Sequence, residues 1–293
     1  MPKTSSASKI KLKSFNDLFG LNESMTESGD VINVMLDELF EFEGHPFMVR
    51  DDEKMEELTE SIKQYGVLVP GIARLRAKGG YEIIAGHSRK MACKKAGLSV
   101  MPMIIRNMTD DEATIVMVDS NIQREKILPS EKARAYKMKY DAIKHQGVKG
   151  NSLKAMSEQA GESAKQIQRF IWIARLNDKL LSFVDDKKLP LRQAVDLSFL
   201  KSDEQEWVCN AFVKFGLQIT IRQSAAIKEL SMNKELDEHK VWEIIAPDTK
   251  PIKRNITLNA KKIDEYFADS YSETEIEEII ISLLDKWKQE SEK

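Results

Sequence analysis

The stretch YEIIAGHSRKMACKKAG, residues 81–97, decides the fold of the first half of this chain. Its apolar start predicts a strand, and the residues after Gly86 predict a helix. A helix N-terminus exposes backbone N–H groups without an intrahelical partner and carries a partial positive charge. Gly86, Ser88 and Arg89 at such a junction predict a phosphate cradle. The alternative is that Ser88 is no more than a helix cap.

The segments around this junction complete a small α/β pattern. Apolar residues recur at helical spacing from Met55 to Tyr65, and Gly66 follows as a helix stop. The turn at residues 78–80 separates two short apolar runs, which predicts a β-hairpin. A strand in MPMIIR comes next, and then a helix opened by a capping box at residues 109–112. We therefore expect strands and helices to alternate up to about residue 108.

A second polar cluster, VDSNIQRE at residues 118–125, ends that helix. The preceding turns, ATIVMV, are strongly apolar, yet carboxylate, carboxamide and guanidinium groups crowd together where the helix should stop. Such a set suits a nucleotide phosphate with its Mg²⁺. A polar helix end with one salt bridge is the alternative. The residues are Asp119, Ser120, Asn121, Gln123 and Arg124.

From about residue 109 the pattern is helical until near residue 255. Within it, SLKAMSEQAGESAKQIQRFIWIARL, residues 152–176, predicts two helices joined by a turn at residues 161–163. This is helix-turn-helix geometry, in which the second helix enters the major groove of DNA. An ordinary helical hairpin is the alternative. The side chains expected to contact bases or phosphates are Ser163, Lys165, Gln166, Gln168 and Arg169.

The two ends of the chain differ from its middle. Residues 1–30 are polar and predict a flexible arm. Near the other end, Pro247 and Pro251 mark a linker, and a capping box at residues 272–275 opens a final helix. One stripe of that helix is apolar, and its members are Ile276, Ile280, Leu283 and Trp287.

These signals predict an α+β protein with four parts. The flexible arm takes residues 1–30, a small mixed α/β domain residues 31–128, an all-helical domain residues 129–245, and a C-terminal self-association segment residues 246–293.

Charge is unevenly distributed, although the net charge is only -2. Between Ser120 and Gly150 eight basic residues face three acidic ones, whereas Tyr271 to Lys293 holds seven acids and three lysines. This asymmetry favours a polyanion-binding surface in the middle of the chain. Solvated helix faces are the competing explanation.

The composition argues against several other classes of protein. Cys93 and Cys209 form no CxxC pair and the four histidines are scattered, so we expect neither a disulfide framework nor a metal held only by side chains. No apolar run approaches the roughly 20 residues that span a bilayer. The start, MPKTSSASKIKLKSF, lacks the apolar core of a signal peptide. We expect a cytoplasmic protein with no membrane partner.

Four sequence boxes, in order, resemble the ParB family of DNA-partition proteins, in the branch found on plasmids and mobile elements. HPFMVR resembles the family's opening box, and YEIIAGHSRKMACKKAGL resembles its GERR box. SNIQRE followed by LPSEKARAY resembles the ENIQR box, and residues 152–176 match the helix-turn-helix. The resemblance covers about residues 40 to 235.

The resemblance implies a ParB/sulfiredoxin-like N-terminal domain that binds CTP and an all-α helix-turn-helix domain for a centromere-like DNA site. It also implies a short C-terminal α/β dimerisation segment. The expected assembly is a homodimer that CTP closes as a clamp on double-stranded DNA. A nucleoid-associated location and a ParA-type ATPase partner follow from the same resemblance.

The resemblance also implies which residues hold CTP and Mg²⁺. Asn121 would contact phosphate or Mg²⁺, Arg124 would brace that site, and Arg50 would face the nucleotide from the opening box. The triphosphate would be cradled by Gly86, His87, Ser88, Arg89 and Lys90.

Two family positions differ in this chain. Where the family usually has glutamate and then arginine, the chain has His87 and Ser88, and Ser120 replaces the glutamate before the asparagine. The loss of carboxylates near the metal weakens the case for CTP hydrolysis more than the case for binding. We therefore expect nucleotide binding without efficient turnover and assign no catalytic residue.

Two other functions are compatible with these patterns. A transcription regulator would use the same helix-turn-helix on a promoter. An enzyme is suggested by the resemblance of the N-terminal fold to sulfiredoxin and nucleotide-dependent serine kinases. Sulfiredoxin needs a cysteine in the helix-mouth loop, where this chain has His87, and we expect Cys93 to be a small core residue. A kinase needs a carboxylate base, for which Asp119 is the nearest candidate.

Overall fold

The computed structural model describes residues 31–124, 127–147, 152–216, 219–246, 263, 266–268 and 270–291. The chain divides into two compact units, Met1–Ala246 and Pro247–Lys293. The flexible arm expected at residues 1–30 lies outside the described residues.

Within the described residues, one mixed sheet of five strands forms the centre of the first half of the chain. Its order is β1-β5-β3-β4-β2. The predicted hairpin is the antiparallel pair β3 and β4, while β5 runs parallel to β3. Strands β1 and β2 were missed because β1 buries only Val34 and β2 has two residues. The strands are β1 (Val31–Met35), β2 (Leu39–Phe40), β3 (Gly71–Leu75), β4 (Tyr81–Ala85) and β5 (Val100–Ile105).

Helices cover both faces of this sheet. Helices α1 (Glu53–Tyr65) and α2 (His87–Lys95) share one core with Ala73 and Ile83. Helix α3 (Asp110–Asn121) shares another with Ile72 and Ile84. Because neighbouring residues of a strand point to opposite faces, Ile83 and Ile84 serve different cores, which explains why β4 is a continuous apolar run.

Local capping signals place the helix ends where the sequence predicts them. The Asp52 side chain accepts from the Met55 N–H at 3.2 Å at the start of α1, and Gly66 ends that helix with a φ of 70°. At the start of α3, Thr109 and Glu112 form the predicted reciprocal capping box. These caps satisfy backbone N–H groups that have no partner inside the helix.

The rest of the first unit is helical. Helix α4 (Pro129–His145) packs against α3 on one side and against α6 on the other. One core, which includes Ile167, Leu180 and Val208, joins the helices from α4 onward. The further helices are α5 (Ser152–Ala160), α6 (Ala164–Ile173), α7 (Asp178–Asp185), α8 (Leu191–Leu197), α9 (Ser202–Phe215), α10 (Ile221–Met232) and α11 (Glu238–Ile245).

Four of the basic residues between 120 and 150 form ion pairs within the described residues. Lys139 is only 3% exposed, whereas the side chains of Arg134 and Lys137 are 45% and 40% exposed. The polyanion-binding surface expected in this region therefore stays a prediction. The pairs are Lys132–Glu162, Arg134–Asp178, Lys137–Asp141 and Lys139–Asp119.

The second unit contains helix α12 (Glu273–Ser291). The predicted capping box is present, since Ser272 N–H donates to the Glu275 carboxylate at 2.8 Å. Two members of its apolar stripe are exposed, Leu283 by 58% and Trp287 by 66%, while Ile276 and Ile280 are partly buried. Among the helices described for both units, none is long and apolar enough to cross a membrane.

Candidate functional site

The strand-to-helix junction of residues 81–97 has the predicted geometry. Gly86 precedes α2 with a φ of 119° and offers no side chain to cap the helix. A Cβ at Gly86 would lie 3.2 Å from both Gly71 Cα and Met101 Cε. Glycine is therefore required for close packing, and the first backbone N–H groups of α2 lack a side-chain cap.

A depression of about 520 Å³ lies beside this helix start. It brings together three predicted site residues from separate parts of the chain, namely Arg50, Ser88 and Arg124. Two guanidinium groups and a hydroxyl near a helix N-terminus are suited to phosphate oxygens. The full lining is Phe47, Met48, Arg50, Asp52, Glu53, Lys54, Met55, Leu58, Ser88, Arg124, Ile127 and Glu131.

Charges around this depression act on one another. Burial is the main cause that lowers the pKa of Arg124. The nearby Glu131 carboxylate raises this pKa, and the positive charge of Arg50 lowers it further. The Arg124 guanidinium also lies 5.9 Å from the centre of the Phe47 ring. The lining holds three basic residues and three acidic ones, so an anionic ligand would depend on the placement of the guanidinium groups and the helix start and not on an excess of positive charge.

Glu131 is a site residue that our sequence reasoning missed. It is only 4% exposed, and its carboxylate accepts from the Met48 N–H and the Leu128 N–H, each at 2.9 Å. The Arg50 guanidinium lies 3.8 Å away. The available signal was the position of Glu131 three residues after Leu128, as in a helix cap. That signal predicts the local contact but not the bond to Met48.

The structure turns the His87 side chain away from the depression. His87 is 3% exposed and its ring centre lies 4.0 Å from that of His45. Its Nε2 is 3.3 Å from a Glu41 carboxylate oxygen without hydrogen-bond geometry. Burial, together with the charges of His45, Arg124 and Lys90, lowers the pKa of His87 to about 3. The imidazole is therefore neutral and part of the packing.

Arg89 and Lys90 also point elsewhere. Arg89 Nη1 donates to the carbonyls of Val69 and Pro70, both at 2.6 Å. Lys90 Nζ donates to the Leu39 carbonyl at 2.6 Å and lines, with His87, a second depression of about 640 Å³. Successive residues of a helix are about 100° apart around its axis, so these neighbours of Ser88 cannot share its direction.

The second polar cluster is only partly directed at the depression. Asn121 is 3% exposed, and its Nδ2 donates to the Met117 carbonyl at 2.8 Å. Asp119 is ion-paired with the buried Lys139. Arg124, whose N–H donates to the Asn121 carbonyl at 3.1 Å, reaches the depression. No group of three potential metal-ligating side chains occurs in the part of the chain that the structure describes.

Cys93 has the environment expected of a core residue. Its side chain is fully buried within the core under α1 and α2. Burial raises the pKa of its thiol, which disfavours the reactive thiolate. This argues against the sulfiredoxin-type alternative.

The predicted pair of helices at residues 152–176 is α5 and α6. Gly161 turns the chain with a φ of 68°, and the Ser163 hydroxyl accepts from the Gln166 N–H at 3.2 Å to cap α6. Lys132 forms an ion pair with Glu162 in this turn. The turn is thus held by the side chains of both neighbouring helices and α4.

Helix α6 separates its residues by face as the sequence predicts. Ile167, Phe170 and Ile171 are buried in the core. Of the five candidate contact residues, Ser163, Lys165, Gln166 and Arg169 are exposed and Gln168 is partly exposed. A polar face on the first turns of the second helix is the arrangement used to read a DNA groove.

Comparison with known proteins finds a ParB N-terminal domain at residues 20–122. The chain is 27% identical over 261 residues to a "Nucleoid occlusion protein" of Listeria innocua, covering 84% of this chain and 85% of that protein. It is 28% identical over 225 residues to the "Probable chromosome-partitioning protein ParB" of Vibrio cholerae, covering 76% and 73%.

Solved structures are more distantly similar. A C-terminally truncated ParB of Caulobacter crescentus complexed to the centromeric parS site is 20% identical, with a TM-score of 0.42 over 68% of this chain and 98% of that one. The same protein complexed with CTP-gamma-S is 22% identical, with a TM-score of 0.31 over 63% and 99%. TM-scores this low add no weight to a site assignment.

Proposed function

We propose that this chain, which matches the ParB N-terminal domain at residues 20–122, is a DNA-binding partition protein of the ParB family controlled by CTP. It binds a centromere-like site as a homodimer and segregates a plasmid or mobile element. The observation that carries the nucleotide part is the meeting of Arg50, Ser88 and Arg124 at one depression. A ParA-type ATPase partner and a nucleoid-associated location are parts of the same proposal.

The depression fits a nucleotide in its size and in the phosphate-binding groups that it offers. About 520 Å³ lies within the range of small-molecule sites. Ser88 and the uncapped N–H groups of α2 would hold phosphate oxygens, and Arg50 and Arg124 would neutralise their charge. Phe47 and Leu58 supply apolar lining for the rest of the ligand. The His87, Arg89 and Lys90 side chains have no direct part in this arrangement.

A contribution of Asn121 to Mg²⁺ would have to come from its amide oxygen, because its nitrogen is used within α3. When bound with the nucleotide, Mg²⁺ neutralises charge on the phosphate oxygens. Efficient hydrolysis would need a carboxylate base. Asp119 is paired with Lys139, and Glu131 already accepts two backbone N–H groups. We therefore propose binding with slow turnover.

Isothermal titration with CTP and Mg²⁺ tests the site directly. We expect heat from the unmodified chain and at least about a tenfold weaker affinity for Arg124→Ala, since a charge-assisted phosphate contact contributes about 1.5 to 3 kcal/mol. Lys94→Ala is the matched control, because Lys94 is a cation of α2 that lines the second depression instead. It should bind CTP as the unmodified chain does.

Two outcomes would contradict this proposal. Absence of heat with CTP would remove the nucleotide site. Brisk phosphate release in the same mixture would overturn the slow-turnover part while leaving binding intact.

The α5–α6 pair supports the DNA part, and the exposed stripe of α12 supports self-association. A transcription regulator using the same helices is the second candidate, because an exposed polar helix face serves a promoter equally well. Mapping bound DNA in cells separates the two functions. A few clustered sites with spreading nearby support partition, and isolated promoter peaks support regulation.

A further inference from the structure

We propose that the second depression, into which His87 and Lys90 of α2 face, binds a free apolar α-amino acid. This depression has a volume of about 640 Å³, which lies within the range of small-molecule sites. It shares no lining residue with the depression proposed for the nucleotide. The inference therefore goes beyond the proposed function and does not depend on it.

Two opposite charges in this depression have no partner. Lys94, in the last turn of α2, and Asp37, which follows β1, both line it. Neither side chain forms an ion pair within the part of the chain that the structure describes. The other two charged side chains of the lining, Lys90 and Glu41, pair with each other at 3.2 Å. A ligand that carries one positive and one negative group would therefore give both unpaired charges a partner.

A buried imidazole nitrogen also points to a polar ligand. The His87 side chain is only 2% exposed and lines the depression, and its Nε2 has no hydrogen-bond partner among the described residues. A buried polar atom without a partner destabilises the folded chain, and a ligand in the depression can supply that partner. A neutral imidazole nitrogen donates to a carboxylate or accepts from an ammonium group, according to its tautomer.

The apolar part of the lining sets the chemistry of the ligand's body. Leu36, Leu39 and Val49 form one side of it, and Met91 of α2 faces them. Leu39 is buried, and the other three are partly exposed, so an apolar group placed here removes apolar surface from water. An apolar side chain with an ammonium and a carboxylate group on one carbon atom matches all of these features. That is the chemistry of an apolar α-amino acid.

The test is a titration of the full chain with L-leucine, measured by saturation-transfer NMR of the ligand. We expect saturable binding with a Kd of about 1 mM or tighter. Two probes each lack one charge, since leucinamide has no carboxylate and 4-methylpentanoate has no ammonium group. Each should bind at least about fivefold more weakly than leucine, because one charge-assisted contact is lost. L-Aspartate, which lacks the apolar body, should bind at least about tenfold more weakly.

Variants of the two unpaired charges test the assigned residues. Lys94→Ala and Asp37→Asn should each weaken leucine binding at least about fivefold. Lys95→Ala is the matched control for the cation, because Lys95 is the next residue of α2 but pairs with Asp51. Glu38→Gln is the matched control for the anion, because Glu38 is exposed beside Asp37 and does not line the depression. Both controls should bind leucine as the unmodified chain does.

Three outcomes would overturn the amino-acid site and leave the proposed function intact. The first is the absence of saturable leucine binding. The second is equal binding of leucine, leucinamide and 4-methylpentanoate, which would mean that only the apolar body is recognised. The third is a loss of affinity in the two controls as large as in Lys94→Ala and Asp37→Asn, or no loss in any of the four variants.

Titration of the same variants with CTP separates the two sites. Arg124→Ala should keep its leucine affinity, and Lys94→Ala should keep its CTP affinity, because each residue lines only one depression. Leucine binding without CTP binding in the unmodified chain would remove the nucleotide site and support the amino-acid site. Loss of leucine binding in Arg124→Ala would mean that the two depressions are not separate, which overturns the inference.

Discussion

At the scale of single residues, the strand-to-helix junction contains two neighbouring residues whose identities are explained by packing. Gly86 is needed because residues with a side chain rarely adopt its φ of 119°, and an added Cβ would lie only 3.2 Å from Gly71 Cα and Met101 Cε. His87 is needed as a neutral ring, because it is buried against His45. Neither constraint involves a ligand, although both residues belong to the stretch that predicts one.

The buried His87 makes stability depend on pH. Its pKa is about 3 in the folded chain against 6.5 ordinarily, so the unfolded chain binds a proton first as pH falls. The stability that it contributes is present above pH 6.5 and is lost between pH 6.5 and pH 3. We expect the unmodified chain to lose about 1 kcal/mol more than His87→Gln between about pH 7.5 and about pH 5.5. Urea denaturation measures this, and equal losses in both proteins would refute it.

Substitution of Lys187 measures how much a left-handed backbone conformation costs in free energy of unfolding. It follows α7 with a φ of 60°, a region that favours glycine. We expect Lys187→Gly to raise the free energy of unfolding by about 0.5 to 1 kcal/mol. Ser182→Gly, at an exposed position in the middle of α7, should lower it by about 0.5 kcal/mol, because glycine destabilises a helix interior. The same sign for both variants in thermal denaturation would contradict this account.

At the scale of an element, α6 combines a buried face and a polar face in ten residues. For a DNA site selected from random sequences, we expect Arg169→Ala to weaken binding by about 1 to 3 kcal/mol and to relax its specificity. Lys165→Ala should weaken binding to all sequences. It should also reduce the slope of log affinity against log salt concentration by about one. Titrations of specific and random duplexes at several salt concentrations distinguish a base contact by Arg169 from a phosphate contact by Lys165.

Arg175 provides the control for these variants. It is exposed and positively charged but lies after the end of α6, away from the first turns that read a groove. Arg175→Ala should leave specificity unchanged. Equal loss of specificity in Arg175→Ala and Arg169→Ala would mean that the helix does not enter a groove by its N-terminal end.

At the scale of the whole molecule, the apolar stripe of α12 is the expected self-association surface. We expect Leu283→Lys, which places a charge on the stripe, to convert a dimer into a monomer with weak DNA binding, because two half-sites no longer act together. Asp285→Lys introduces the same side chain on the polar face and should remain a dimer. Light scattering measures the mass, and an unchanged dimer for Leu283→Lys would exclude this role for the stripe.

What the sequence by itself determined is local. The turn at residues 78–80, the Thr109 capping box and the two faces of α6 depend on residues that are close together in the chain, so short-range chemistry predicts them. The exposed stripe on α12 belongs to the same group.

Only the tertiary structure decided which side chains share the depression. Five consecutive residues suggested one phosphate cradle, but the turn of α2 directs Ser88 to the depression and His87 and Lys90 to another one. The Glu131 carboxylate accepts a hydrogen bond from Met48, 83 residues away in the chain, and Lys139 forms an ion pair with Asp119. Such pairings depend on how elements pack in space, and the periodicity of any single element contains no information about its partners.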